Sequence, residues 1–88
     1  MNYEIRITGR VQGVGYRYFV LKIAHTLNIK GFVKNMPDGS VFISAYGSVN
    51  DLDRLTDHLK IGPARARVDK IIIEKFHTMT KLDDFITK

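Results

Sequence analysis

Cysteine is absent from this 88-residue sequence. Its absence excludes a disulfide framework, a thiolate zinc site and a cysteine nucleophile. It also fits a reducing compartment, so a cytoplasmic location is expected. Long hydrophobic runs are missing as well. No stretch approaches the roughly 20 apolar residues of a membrane-spanning helix, and no membrane partner is expected. The opening "MNYEIRITGR" is strand-like and lacks the apolar segment of a signal peptide. The sequence also lacks low-complexity tracts and internal linkers.

What is present is an ordinary globular composition. Hydrophobic residues make up 44% and charged residues 26% of the chain, which argues against disorder. The length suits a single domain over residues 1–88 and is too short for two. The formal net charge is +5. That favours anionic partners such as nucleic acid, phosphate compounds or acidic lipids. The basic residues are spread along the chain, so charge alone leaves both a small anionic substrate and a nucleic acid open.

Hydrophobic periodicity divides the chain. Over residues 2–8, "NYEIRIT", Tyr3, Ile5 and Ile7 face one way and Glu4, Arg6 and Thr8 the other, a half-buried strand. A glycine-rich connection follows over residues 9–15. From Tyr16 to about Asn28 the period changes, and Phe19, Val20, Ile23, Ala24 and Leu27 mark one helical face. "KGFVKNM" is a second strand, Pro37 to Gly39 a tight turn, and "SVFISAY" a third strand. Ser48 caps a second helix carrying Leu52, Leu55 and Leu59, which Gly62 and Pro63 end. "RVDKIIIEKF" is a fourth strand, "HTMTK" a loop, and "LDDFITK" could supply a short fifth strand.

The order strand, helix, strand, strand, helix, strand predicts an α+β fold. It is the ferredoxin-like α/β sandwich, βαββαβ, with a four- to five-stranded antiparallel sheet and two helices on one face. A right-handed crossover makes the first two strands parallel, and the third lies between them. The glycine loop after the first strand and the end of the second then share one edge of the sheet.

That loop, "GRVQGVGYR" from Gly9 to Arg17, carries the strongest chemical signal. Gly9, Gly13 and Gly15 relax the backbone so that N–H groups can approach a ligand, and the helix behind them begins with N–H groups lacking partners. The pattern matches neither a Walker loop nor a dinucleotide loop, which would need glycine where Tyr18 stands. Arg17 falls in the first helical turn, where the helix dipole disfavours a cation. A bound phosphate would reverse that sign; the alternative is a solvent-facing arginine. Val11 and Val14 are read as pinning the loop to the core.

Asn35 ends the second strand before the turn. It either caps that turn or, given the shared edge, orients a water beside an anion bound at Arg17. Asp38 is read as a turn residue, Arg6 and Arg10 as surface charges, and Tyr16, Tyr18 and Phe19 as packing at the helix start. His25, His58 and His77 share no metal-ligand spacing, so no metal and no cofactor are expected. "KGFV" partly matches an RNA-recognition motif, but on the second strand rather than the third.

Taken together, "GRVQGVGYR" and "GFVKNMPDGSV" resemble the two signatures of the acylphosphatase family, and "GPARARV" resembles its third common stretch. The resemblance covers nearly the whole chain. It departs at Tyr16, Phe32 and Lys34, where the family often has phenylalanine, tryptophan and arginine, and at the C-terminal segment, which lacks the family's usual aromatic ending. It implies a ferredoxin-like fold and hydrolysis of the carboxyl–phosphate bond of acyl phosphates. By motif match Arg17 binds the phosphate and Asn35 orients the water, while the backbone of Gln12, Gly13, Val14, Gly15, Tyr16 and Arg17 forms the cradle. A small acyl phosphate and inorganic phosphate are then the expected partners of a monomer, with no nucleic acid. The alternative is a non-catalytic module of the same shape that binds RNA or a small anion.

Overall fold

Seven elements arise from these periods in a computed structural model that describes residues 1–77 and 82–88. They are β1 (Asn2–Arg10), α1 (Tyr16–Thr26), β2 (Lys30–Asn35), β3 (Val41–Tyr46), α2 (Val49–Ile61), β4 (Arg67–Phe76) and β5 (Phe85–Thr87). The strands form one sheet in the order β4-β1-β3-β2-β5. α1 packs on β2 and β5, α2 on β4, and the helices touch each other, so both cover one face. This is the expected ferredoxin-like sandwich, with β3 between β1 and β2.

Alternation places the core. Tyr3, Ile5 and Ile7 of β1 and Val41, Ile43 and Ala45 of β3 are fully buried under the helices. Ile5 stands opposite Ile43 on one side and Ile73 on the other. Val20 and Ala24 of α1 and Leu52, Leu55 and Leu59 of α2 close over them. Burying each large aliphatic side chain contributes about 1.5–3 kcal/mol, so the alternation is the main determinant of register.

The secondary structure differs from the sequence reading in three places. β1 runs on to Arg10, and Gly9 lies in the strand rather than in the loop. The register shifts between Thr8 and Gly9, and a Cβ on Gly9 would sit 2.2 Å from the Arg67 carbonyl oxygen. Gly9 therefore serves a bulge and a close strand approach. α1 stops at Thr26, and Asn28 (φ 57°) turns the chain into β2 from the left-handed region. The fifth strand forms but pairs parallel to β2, while β1–β3, β1–β4 and β2–β3 are antiparallel. β5 lies at the sheet edge opposite β4 and runs in the opposite direction to it, which aligns it with β2. Of the expected loop "HTMTK", His77 follows β4 without regular structure and residues 78–81 lie outside the described part.

β5 is held at both ends. Gly31 N–H donates to the Asp84 carbonyl (3.0 Å), and Lys88 N–H donates to the Val33 carbonyl (2.8 Å). Phe85 is buried beneath α1. On the opposite sheet surface Phe32 and Phe42 meet at 6.0 Å, with the Lys34 ammonium over both rings.

Candidate active site

Sheet register brings the two sequence signatures together. Val41 of β3 stands opposite both Ile7 of β1 and Asn35 of β2. Asn35 is thus level with Ile7, three residues before the end of β1 and two strand spacings away, roughly 10 Å. The chain leaving β1 rises beside it as the loop to α1. A cleft of about 200 Å³ opens there, lined by Val11, Gly13, Gly15, Tyr16, Arg17, Tyr18 and Asn35.

The loop owes its shape to Gly13 (φ 73°) and Gly15 (φ 80°). A Cβ on either would meet nothing within 4 Å among the described residues, so glycine is needed there for the left-handed backbone and not for space. Val11 is buried in the core and Val14 packs against it, so the loop is pinned from below. Gln12 pins it from the side: its Nε2 donates to the Met36 and Ser40 carbonyls, each at 2.9 Å. Those two carbonyls flank the β2–β3 turn, which Met36 N–H closes onto Ser40. One amide therefore ties the Arg17 loop to the strand end that carries Asn35.

Gly15 caps α1 without any side-chain hydrogen bond, and the first turn holds no acid. The first bond within the helix runs from Phe19 N–H to the Gly15 carbonyl, so the N–H groups of Tyr16, Arg17 and Tyr18 have no helical acceptor. They sit beside the arginine that lines the same cleft. Arg17 Nη1 donates to the Lys88 carbonyl at 3.0 Å, which steadies the guanidinium over the end of β5. Its fork has further donors for an anion.

Asn35 does not cap the turn. Its Oδ1 is buried and has no hydrogen-bond partner among the described residues. A buried acceptor left bare costs about 1–3 kcal/mol. Asp38 does the turn work instead, accepting from Ser40 N–H (2.9 Å) and Ser40 Oγ (2.6 Å). Those bonds, with Arg6 nearby at 3.6 Å, hold the Asp38 carboxyl below its ordinary range. Arg6 is thus tied to the turn, and its Nη1 also reaches Ser40 Oγ at 3.2 Å.

Each predicted site residue has a definite place. Gly13, Gly15, Tyr16, Arg17 and Asn35 line the cleft, while Gln12 and Val14 support it from outside. Tyr16 packs as expected, buried with its hydroxyl donating 2.6 Å to the Leu59 carbonyl. Burial pushes its phenol well above the ordinary value. Tyr18 corrects the reading: it is 65% exposed and lines the cleft. Its position outside the Phe19–Val20–Ile23 stripe was the available signal. The Gln12 bridge had none, because its partners are backbone atoms of another signature. His25 is exposed, and its Nε2 lies 3.0 Å from the Phe85 carbonyl and 3.3 Å from Asp84 Oδ1.

The family model for Acylphosphatase matches residues 3–87. The chain belongs to the acylphosphatase family. It is thereby a hydrolase of the class that acts on acyl phosphates. An acylphosphatase of Archaeoglobus fulgidus is 47% identical over 72 residues, covering 82% of this chain and 81% of that relative. One of Thermotoga petrophila is 45% identical over 85 residues, covering 97% and 93%. The crystal structure of acylphosphatase from Bacillus subtilis superimposes with a TM-score of 0.96 at 36% identity, covering 99% of this chain and 97% of that one. Family and fold thus agree with the two signatures that meet at the cleft. No helix among the described residues is long and apolar enough to cross a membrane.

Proposed function

We propose that Arg17 and Asn35 divide the work of acyl-phosphate hydrolysis between them. The observation that carries this is their presence in one cleft, with Asn35 Oδ1 buried and lacking a donor among the described residues. The phosphoryl oxygens lie against the loop N–H groups and the guanidinium, which offset their charge. A water donates to Asn35 Oδ1 and attacks phosphorus in line. The new P–O bond forms from water, and the bond to the acyl oxygen breaks with its electron pair leaving as carboxylate. The water's proton passes to a phosphate oxygen. A carboxylate leaves readily, so no general acid is required.

The same reading covers a monomer that acts in the cytoplasm on a small acyl phosphate and releases inorganic phosphate. Light scattering at assay concentration checks the first part. The deciding experiment measures phosphate release from benzoyl phosphate by the parent and the Arg17→Ala variant. Turnover by the parent and its loss in the variant are expected. Equal turnover by both removes Arg17 from the mechanism.

A further inference from the structure

Both helices cover one face of the sheet, and no helix covers the other among the described residues. Strand alternation sets out on that second face the side chains that the core does not use. Arg6, Phe42 and Lys34 stand level on β1, β3 and β2. Phe32 stands one row on, opposite Ser44 of β3 and Ile86 of β5. The Phe32 and Phe42 rings are half-buried, and their centroids are 6.0 Å apart. Cations surround them. Lys34 Nζ is 5.9 Å and 6.0 Å from the two centroids, Lys88 Nζ is 4.0 Å from that of Phe32, and the Arg6 guanidinium carbon is 5.8 Å from that of Phe42. We propose that this face, over β3, β2 and β5, binds single-stranded RNA.

Unpaired bases stack on aromatic rings while cations hold the phosphates that link them. This face presents both groups together. The ammonium groups over the rings sit on flexible stems. A base can take the ring as the ammonium moves to the neighbouring phosphate, because base stacking is the stronger contact with an exposed ring. Ile86 is 48% exposed and widens the apolar surface beside Phe32. Lys30 lies two residues before Phe32, hence on the same face, and adds to the cations.

Acids set the limit of the track. Glu4 and Glu74 stand opposite each other on β1 and β4 and repel phosphates from that side. Asp38 is already held by Ser40 and Arg6. A five-stranded face does not fit a duplex groove, so it needs bases that stand unpaired, as in RNA loops and ends. The "KGFV" stretch gains a meaning from this arrangement. It lies on β2, but its ring meets that of Phe42 on β3, the middle strand. RNA is then a partner beyond the small anion that the family resemblance implies. Phe32, Lys34 and Phe42 do not line the cleft of Arg17 and Asn35, so the proposal is independent of the roles given to those two residues.

The experiment measures fluorescence anisotropy of a labelled oligouridylate of about 12 nucleotides with the parent, Phe32→Leu, Phe42→Leu, Lys34→Glu and Arg17→Ala. The parent should bind, and log affinity should fall with log salt with a slope of about −2 to −3. Each leucine variant keeps an apolar side chain and should bind about tenfold more weakly. Lys34→Glu should weaken binding further, and Arg17→Ala should bind as the parent does. Thermal melts report folding of each variant. In the parent itself, the oligonucleotide should shift the ring proton resonances of Phe32 and Phe42, a readout that needs no variant. No binding by the parent, or unmoved ring resonances, overturns the proposal. So does unchanged affinity in both folded leucine variants, which means attraction by charge alone. Loss of binding in Arg17→Ala overturns it by placing the oligonucleotide in the cleft. A dimer of the parent that Lys34→Glu dissociates also overturns it, by giving the face to a second copy of the chain.

Discussion

The two helices of this protein begin in opposite ways. At the start of α2, Ser48 Oγ accepts from Asp51 N–H at 3.1 Å, and Asp51 adds a negative charge to the first turn. Both features satisfy the helix from within. At the start of α1, Gly15 offers no side chain, no acid is present, and Arg17 adds charge of the disfavoured sign. The α2 end is finished by the chain itself. On the reading proposed above, a bound anion completes the α1 end. On that reading the same four-group deficit serves stability in α2 and binding in α1.

Substitutions at the two helix starts should therefore separate activity from stability. The largest effect is expected for Arg17→Ala, which should lower acyl-phosphate turnover by at least about 10²–10³ and abolish stabilisation by inorganic phosphate in thermal melts. Next, Asn35→Ala should lower kcat by about 10² through loss of water placement, with a much smaller change in phosphate affinity. A variant that loses phosphate binding but keeps kcat would contradict the division of labour.

Tyr16 joins the two helices, since its hydroxyl reaches the Leu59 carbonyl near the end of α2. Tyr16→Phe should cost about 1–3 kcal/mol in denaturant unfolding by leaving that carbonyl bare. The phenol also sets a pH limit. Its folded value is raised above the ordinary 10.0, so the stabilisation is complete below pH 10.0 and is lost as pH rises from there through the folded value. The fall in stability above that pH should be shallower in Tyr16→Phe. Ser48→Ala should cost about 1 kcal/mol without changing kcat/KM. The smallest effect tests the comparison most directly. Without phosphate, Arg17→Ala should be more stable than the parent by about 0.3–1 kcal/mol, less whatever its exposed bond to Lys88 contributes.

Much of the fold was legible because it is written in local periods. Ile5 and Ile7, or Leu52, Leu55 and Leu59, declare their element and their buried face without reference to any other residue. The site was half legible. Arg17 and Asn35 stand in motifs, but whether Asn35 served the turn or the cleft depended on Asp38 taking the turn. Tyr18 was misplaced because an aromatic residue at a helix start usually packs inward, and only its helical angle directs it outward.

Strand alternation, helix stripes, the Ser48 cap and the left-handed glycines of the loop depend on neighbours a few residues apart, so the order of residues sets them. The direction of β5, the Gln12 bridge and the grip of the Lys88 carbonyl on Arg17 are different. Arg17 and Lys88 are 71 positions apart. Such partners meet only once the chain has crossed the sheet and packed, because nothing in either residue's own surroundings specifies the other.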